Sequence, residues 1–349
     1  MDRQAWTRRR RRTMLGVIGA GLLAVVLTSP SLPSTAATTP SADHVVVLVG
    51  PGITDTDLAA ARTSAYGVDG SLPGVDAAAT SDDAAVLRFA VGAGGSEPAA
   101  TSPLVRARRA GLATGIVTVG SVADPAGSLG ALEVGVAACT APSATSAVCP
   151  SDAREHGGEG SAVEQLIDLR PDVVLGGGAD AFDDDATVGI WGDVAIRQQA
   201  SDRGYTVVDD AAGLRGVSSA DQHRPVLGLF APGPVEVADG RADGSAGCDV
   251  ATAPADDVPS VAEMTAQASA LLEQHDRSYL QVIGPALRPR SGYVDECRRI
   301  AATLAFDEAV QEALVAAESG PPTRVIVVLG SAGAASDVVG ARVDRLLGI

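Results

Sequence analysis

Short unbroken aliphatic runs, separated by stretches of helix length, constrain this chain more than any other feature. Val45–Val49 is apolar along its whole length and mostly β-branched, as expected of a strand buried on both faces. Gly115–Val119, Val173–Leu175, Thr206–Val208, Leu227–Phe230, Tyr279–Ile283 and Val325–Leu329 are further strand candidates. Between them lie helical patterns. One starts at Thr54 or Asp55 with Leu58, Ala61, Arg62 and Ala65 at helical spacing; others cover Ala162–Leu169, Ile196–Arg203, Val261–Gln274 and Arg298–Ala317. Regular alternation of strand and helix predicts an α/β fold, with a central, mostly parallel sheet between helices and right-handed crossovers. Two stretches rich in Gly, Ala, Pro, Asp and Ser, 92–102 and 233–257, read as loop insertions within one domain spanning 37–349.

The first 36 residues read as an export signal. Five consecutive Arg (8–12) precede an apolar run from Leu15 to Leu27 and a small-residue segment, Ser34–Ala37. The apolar run is short of the roughly 20 residues that a membrane span needs. An uncleaved anchor is the alternative, and a twin-arginine route stands beside the general secretory one. The expected location is therefore secreted or cell-envelope, with no membrane association after signal cleavage.

Charge narrows the partners. The chain has 26 basic residues, all of them Arg, against 43 acidic ones, for a net charge of −17. That balance argues against nucleic acid as a partner, because a duplex-binding surface needs clustered cations to displace counterions. It also disfavours phosphate esters unless a metal or a local Arg reverses the field.

Candidate chemistry is sparse. In open α/β sheets reactive groups collect at the carboxyl ends of strands, and there the sequence offers Pro51, Ser121, Asp124, Gly284, Arg288, Gly330 and Ser331. Of these, Asp124 is the plausible metal ligand. His44, His156, His223 and His275 form no metal-binding spacing, and a GxSxG nucleophile elbow is absent. Gly176–Gly178 reads as a tight turn and not as a phosphate-binding loop. The acidic runs Ser81–Asp83, Asp183–Asp185 and Asp209–Asp210 read as solvated loops, with a bound Mg²⁺ or Ca²⁺ as the less common case.

A series of strings then occurs in order: AGLATG at Ala110–Gly115, PSATS at Pro142–Ser146, Cys149-Pro150, VVLGGG at Val173–Gly178, PVLGLFA at Pro225–Ala231, LQV at Leu280–Val282 and DEAVQ at Asp307–Gln311. Together they resemble the secreted, disulfide-bonded bacterial alkaline phosphatases, from about Val45 to Val339. The resemblance implies an α/β sheet sandwiched between helices, two zinc ions and one magnesium, a Ser nucleophile, a phosphate-clamping Arg, and a homodimer. It also implies the bridges Cys139–Cys149 and Cys248–Cys297, the pairing that sequence order suggests.

Carried onto this chain residue by residue, the resemblance implies loss of the reaction. Asp82 falls at the nucleophile position and Ala137 at the phosphate-clamping Arg. Pro51, Ile283, Arg288, Gly292, Gly330 and Ser331 fall at metal-ligand positions, and only Asp124 is retained. The hydroxyl two residues after that carboxylate becomes Ala126, and the last zinc His lies in a C-terminal portion that this chain, ending at Ile349, is expected to lack. The reading is a pseudoenzyme with no cofactor that serves as a binding protein for an unknown ligand or partner. The alternative is a hydrolase with Asp82, Asp83 and Asp124 around a single Mg²⁺ or Ca²⁺. Thiol titration of the unreduced protein is expected to find no reactive Cys; more than a trace would contradict the two bridges.

Overall fold

The computed structural model describes residues 42–89, 102–125, 128–235, 241–242, 248–249, 257–285, 296–330 and 332–349. The first half of the fold runs β1 (His44–Pro51), α1 (Asp55–Tyr66), α2 (Val75–Thr80), β2 (Ala84–Arg88), α3 (Pro103–Arg109), β3 (Ala113–Ser121), α4 (Pro142–Val148), α5 (Ala162–Leu169), β4 (Val173–Gly177) and α6 (Ala179–Phe182). It continues with α7 (Ile196–Asp202), β5 (Thr206–Val208), α8 (Ala211–Gly216), β6 (Val226–Leu229), β7 (Arg241–Ala242), β8 (Cys248–Asp249), α9 (Val261–Leu272), β9 (Ser278–Ile283), α10 (Glu296–Ser319), β10 (Thr323–Gly330) and α11 (Ala332–Leu347).

Eight strands form one sheet in the order β2-β10-β1-β9-β3-β4-β6-β5, and every pairing in it is parallel. The expected α/β architecture is thus present. β1 lies between β10 and β9, with Val46 level with Val325 on one side and Leu280 on the other. Val45 to Val49 are each no more than 4% exposed. Val46 and Leu48 feed one hydrophobic layer, under α1, α9 and α10; Val45, Val47 and Val49 feed the other, under α3, α5 and α11. Period-two alternation thus delivers one strand to two cores, which is why Val45–Val49 has no polar position.

Helix starts are set by side chains. Thr54 and Asp57 form a capping box at α1, as do Ser161 and Glu164 at α5 and Ser260 and Glu263 at α9. α2 starts differently. The buried Asp307 carboxylate, projecting from α10, accepts hydrogen bonds from the Gly74 and Val75 amides at 3.1 and 2.6 Å. Burial pushes this carboxyl above its ordinary range, and the two amides pull it back.

Where the sequence reading misses, burial explains the miss. The strand expected to end at Leu175 runs on through Gly177, so Gly176 and Gly177 are strand residues; only Gly178 has positive φ, +95°. β2 and α2 escape the pattern because β2 is a half-exposed edge strand and α2 is a six-residue helix. Both expected disulfides are formed, with Cα–Cα separations of 6.3 Å for Cys139–Cys149 and 5.2 Å for Cys248–Cys297. Within the expected 233–257 insertion, Arg241–Ala242 pairs antiparallel with Cys248–Asp249. Most of the other expected insertion, and residues 1–41, lie outside the described residues.

Phe306 on α10 is fully buried and packs directly under β1 and β9. A Cβ at Gly284 would lie 2.5 Å from its ring, and one at Gly50 would lie 2.7 Å from Ile53 Cδ1 and 3.2 Å from the ring, so glycine at both strand ends lets them close over it. Phe306→Ala is expected to lower unfolding free energy by about 3–5 kcal/mol, read by chemical denaturation; a loss below about 1 kcal/mol would show that the ring is not a packing anchor.

Candidate functional site at the carboxyl ends of the sheet

Because every strand of the sheet is parallel, one edge collects all the carboxyl ends. Across the middle of the sheet that edge comprises Gly330, Pro51, Gly284, Ser121 and Gly177. The backbone closes tightly there. The Gly52 amide donates to the Gly330 carbonyl at 2.7 Å, the Gly284 amide to the Val49 carbonyl at 2.8 Å, and the Val122 amide to the Gly177 carbonyl at 3.0 Å. Side chains at the same edge are mostly apolar: Ile53 is 1% exposed and Ile283 5%. Pro51 and Gly330 carry no side-chain donor. Ser121 Oγ accepts from the Ala123 amide at 3.2 Å, and the half-buried Asp124 follows, its own amide bonded to the Ser121 carbonyl.

Two carboxylates flanking this edge, Asp57 and Asp55, are ion-paired. Asp57, 6% exposed, accepts from the Thr54 amide at 2.8 Å and the Thr54 hydroxyl at 2.6 Å, and pairs with Arg299 through Nε at 2.9 Å. Burial alone would raise the Asp57 carboxyl; the Thr54 hydroxyl and amide and the Arg299 guanidinium outweigh it and hold the group below its ordinary value. Asp55 pairs with Arg88 at 2.9 Å on the exposed flank. Sequence reading treated Thr54 as a cap but missed Asp57. The signal was present in the Thr-x-x-Asp spacing, whereas Arg299 is distant in sequence.

Asp82 and Asp83 do not join this edge, which corrects two expectations. They precede β2 and therefore lie at the amino ends. Arg324, near the start of β10, donates to the Asp82 carbonyl at 3.0 Å and pairs with the Asp83 carboxylate. Ala84, Val325, Val46, Leu280 and Gly115 share one level across five strands. At about 3.3 Å per residue and about 4.8 Å between strands, Asp83 and Asp124 are on the order of 30 Å apart. A single-cation site built from Asp82, Asp83 and Asp124 is therefore not assembled, and Asp82 is not at the edge where a nucleophile would act.

The remaining candidates also resolve into structural roles. Ala137 is exposed in the turn before Cys139. Asp183 pairs with Arg197 at 2.8 Å, Asp184 accepts from the Ser143 amide at 2.7 Å, and Asp210 caps α8 through the Gly213 amide. Three histidines sit toward the amino ends: His44 opens β1 and shares a 2.7 Å hydrogen bond with Ser278, His275 donates to the Ala220 carbonyl, and His223 precedes β6. His156 is exposed in the turn Arg154–His156. Among the described residues no group of three or more His, Cys, Asp or Glu could hold a metal ion. Ala126, Arg288, Gly292 and Ser331 lie outside the described residues.

An all-parallel sheet between helices, with all its carboxyl ends on one edge, defines the class of this protein. Comparison with known proteins then specifies it. The sequence profile of the alkaline phosphatase family matches residues 54–332. The chain is 35% identical over 336 residues to the alkaline phosphatase of Escherichia coli, covering 85% of this chain and 71% of that one. It is 35% identical over 356 residues to the streptomycin-6-phosphate phosphatase of Streptomyces griseus, covering 89% and 78%. The crystal structure of Thermus thermophilus alkaline phosphatase superposes with a TM-score of 0.57 at 22% identity; the match covers 88% of this chain and 63% of that one, and it supports the fold. The chain belongs to the alkaline phosphatase family.

The depressed Asp57 carboxyl stabilises the fold at neutral pH, and that contribution disappears as pH falls through its folded-state value. Asp57→Asn is expected to cost about 1–3 kcal/mol near neutrality and progressively less in acid. A pH-independent difference in denaturation midpoint would contradict this.

Proposed function

We propose that this protein is an exported alkaline phosphatase homologue that has lost zinc-dependent phosphomonoester hydrolysis and acts by binding. Residues 1–36 serve as the export signal and 37–349 as a single domain. The observation that carries the reading is the donor set at the carboxyl ends. The positions that the family resemblance assigns to metal ligands hold Pro51, Ile283 and Gly330, and the neighbouring space is packed with Ile53 and Phe306. One carboxylate, Asp124, does not fit two zinc ions, which take His and carboxylate donors in sets of three or four. Arg288 would place a cation where a metal ligand is needed. No step through zinc or magnesium follows from these residues, and no cofactor is assigned. A homodimer is proposed on family resemblance alone.

The competing reading is a working phosphatase, supported by membership of the family and by 35% identity to relatives that include a streptomycin-6-phosphate phosphatase. A chromogenic phosphate monoester, assayed with the exported protein in excess Zn²⁺ and Mg²⁺, separates the two. Turnover indistinguishable from the buffer control is expected. Robust turnover abolished by chelation would overturn the proposal, since loss of metals and clamp should remove far more than the roughly 3–4 kcal/mol of a single oxyanion contact.

A further inference from the structure

The amino ends of the sheet hold a buried histidine that stands apart from the carboxyl edge and from the question of hydrolysis. His44, the first residue of β1, is 2% exposed. Period-two alternation puts it on the face of Val46 and Leu48, under α9 and α10. Level with it are Ser278 at the start of β9 and Thr323 at the start of β10, both buried. Its Nδ1 shares a 2.7 Å hydrogen bond with Ser278 Oγ. The backbone closes around the ring: the Ser278 amide donates to the Asp43 carbonyl at 3.0 Å, and the Asp43 and His44 amides donate to the Pro322 carbonyl at 3.1 and 3.2 Å.

Two charged or titratable neighbours act on the ring. Asp43 precedes it in the chain and favours a charge on it; His275, in the turn between α9 and β9, opposes one. His275 is half-buried and donates to the Ala220 carbonyl at 2.7 Å, which it can do neutral or charged. The other charged residues of the packed elements have their own settings. Glu273 follows α9 beside Gly320, where a Cβ would lie 3.0 Å from its Oε2. Glu318 is exposed in the last turn of α10, Asp276 and Arg277 lie in the turn before Ser278, and Arg324 on β10 pairs with Asp83. Burial is the largest influence on His44 and holds it below its ordinary value; His275 acts in the same direction and Asp43 against it.

We infer that His44 is an acid-sensitive latch between β1 and β9: neutral, it closes the amino end of the sheet on Ser278, and protonation releases that end. A charged imidazole is poorly solvated in the closed position. Opening exposes the ring, which then takes a proton at its ordinary value of about 6.5. The closed form binds that proton less readily, so the latch is at full strength above this value and weakens as pH falls below it, towards the folded-state value. Release is confined to the strand ends. Four residues deeper, Val282 is level with Leu48 on one side and Val117 on the other and is fully buried.

Hydrogen exchange at single amides of the exported protein, from about pH 8 to about pH 5, tests it. Corrected for the intrinsic exchange rate, the His44 and Ser278 amides are expected to lose protection in acid, while the Val282 amide keeps it. His44→Asn offers Ser278 a hydrogen-bonding group that does not titrate, and it should remove the pH dependence at Ser278. Should that variant fail to fold, NMR titration of the His44 ring in the parent decides: a midpoint below about 6.5 is expected, and one at or above it would overturn the inference. So would an acid loss as large at Val282 as at Ser278, a loss that persists in His44→Asn, or protection that does not change with pH.

Discussion

Burial of β1 on both faces is the constraint on which the rest of the structure depends. A strand with no solvent face must have hydrogen-bonded neighbours on both edges and helices on both sides. β10 and β9 supply the edges, and α10 and α11 lie among the covering helices. Since all the neighbours are parallel, their carboxyl ends converge on one rim, and any chemistry of the fold is confined to what that rim presents. Among the described residues the rim presents closed backbone turns, Ile53, Ile283, a ring under two glycines, Ser121 and Asp124, and carboxylates engaged with Thr54, Arg299 and Arg88.

Much of this was legible in the sequence. The continuous aliphatic runs Val325–Leu329 and Val45–Val49 read as strands because two-sided burial leaves no polar position there to confuse the pattern. β2 was not legible for the opposite reason: at the sheet edge its residues are half-exposed and end on a charged Arg88. Gly176–Gly178 shows how composition misleads. Three consecutive glycines suggest a turn, yet two continue the strand, where a Cβ at Gly176 would strike the Thr118 backbone at 2.6 Å.

The site was less legible than the fold. None of the strings that carry the family resemblance falls between Pro51 and Ala110. Register in that interval was therefore unconstrained, and Asp82 was matched to a nucleophile that it cannot be from the amino ends of the sheet. Ile283, which directly follows the string Leu280–Val282, is the last residue of β9. The Asp57–Arg299 pair was beyond sequence reading because only the packing of α1 against α10 brings those residues together.

Scaffold and rim are separable by physics. Capping boxes, disulfides and two hydrophobic layers stabilise a fold whatever its rim carries, whereas zinc binding depends on a few donors at set positions. The most direct test of that separation is the zinc stoichiometry of the protein purified under native conditions without chelators. The account predicts well below one zinc per chain; two tightly held zinc ions per chain would contradict it.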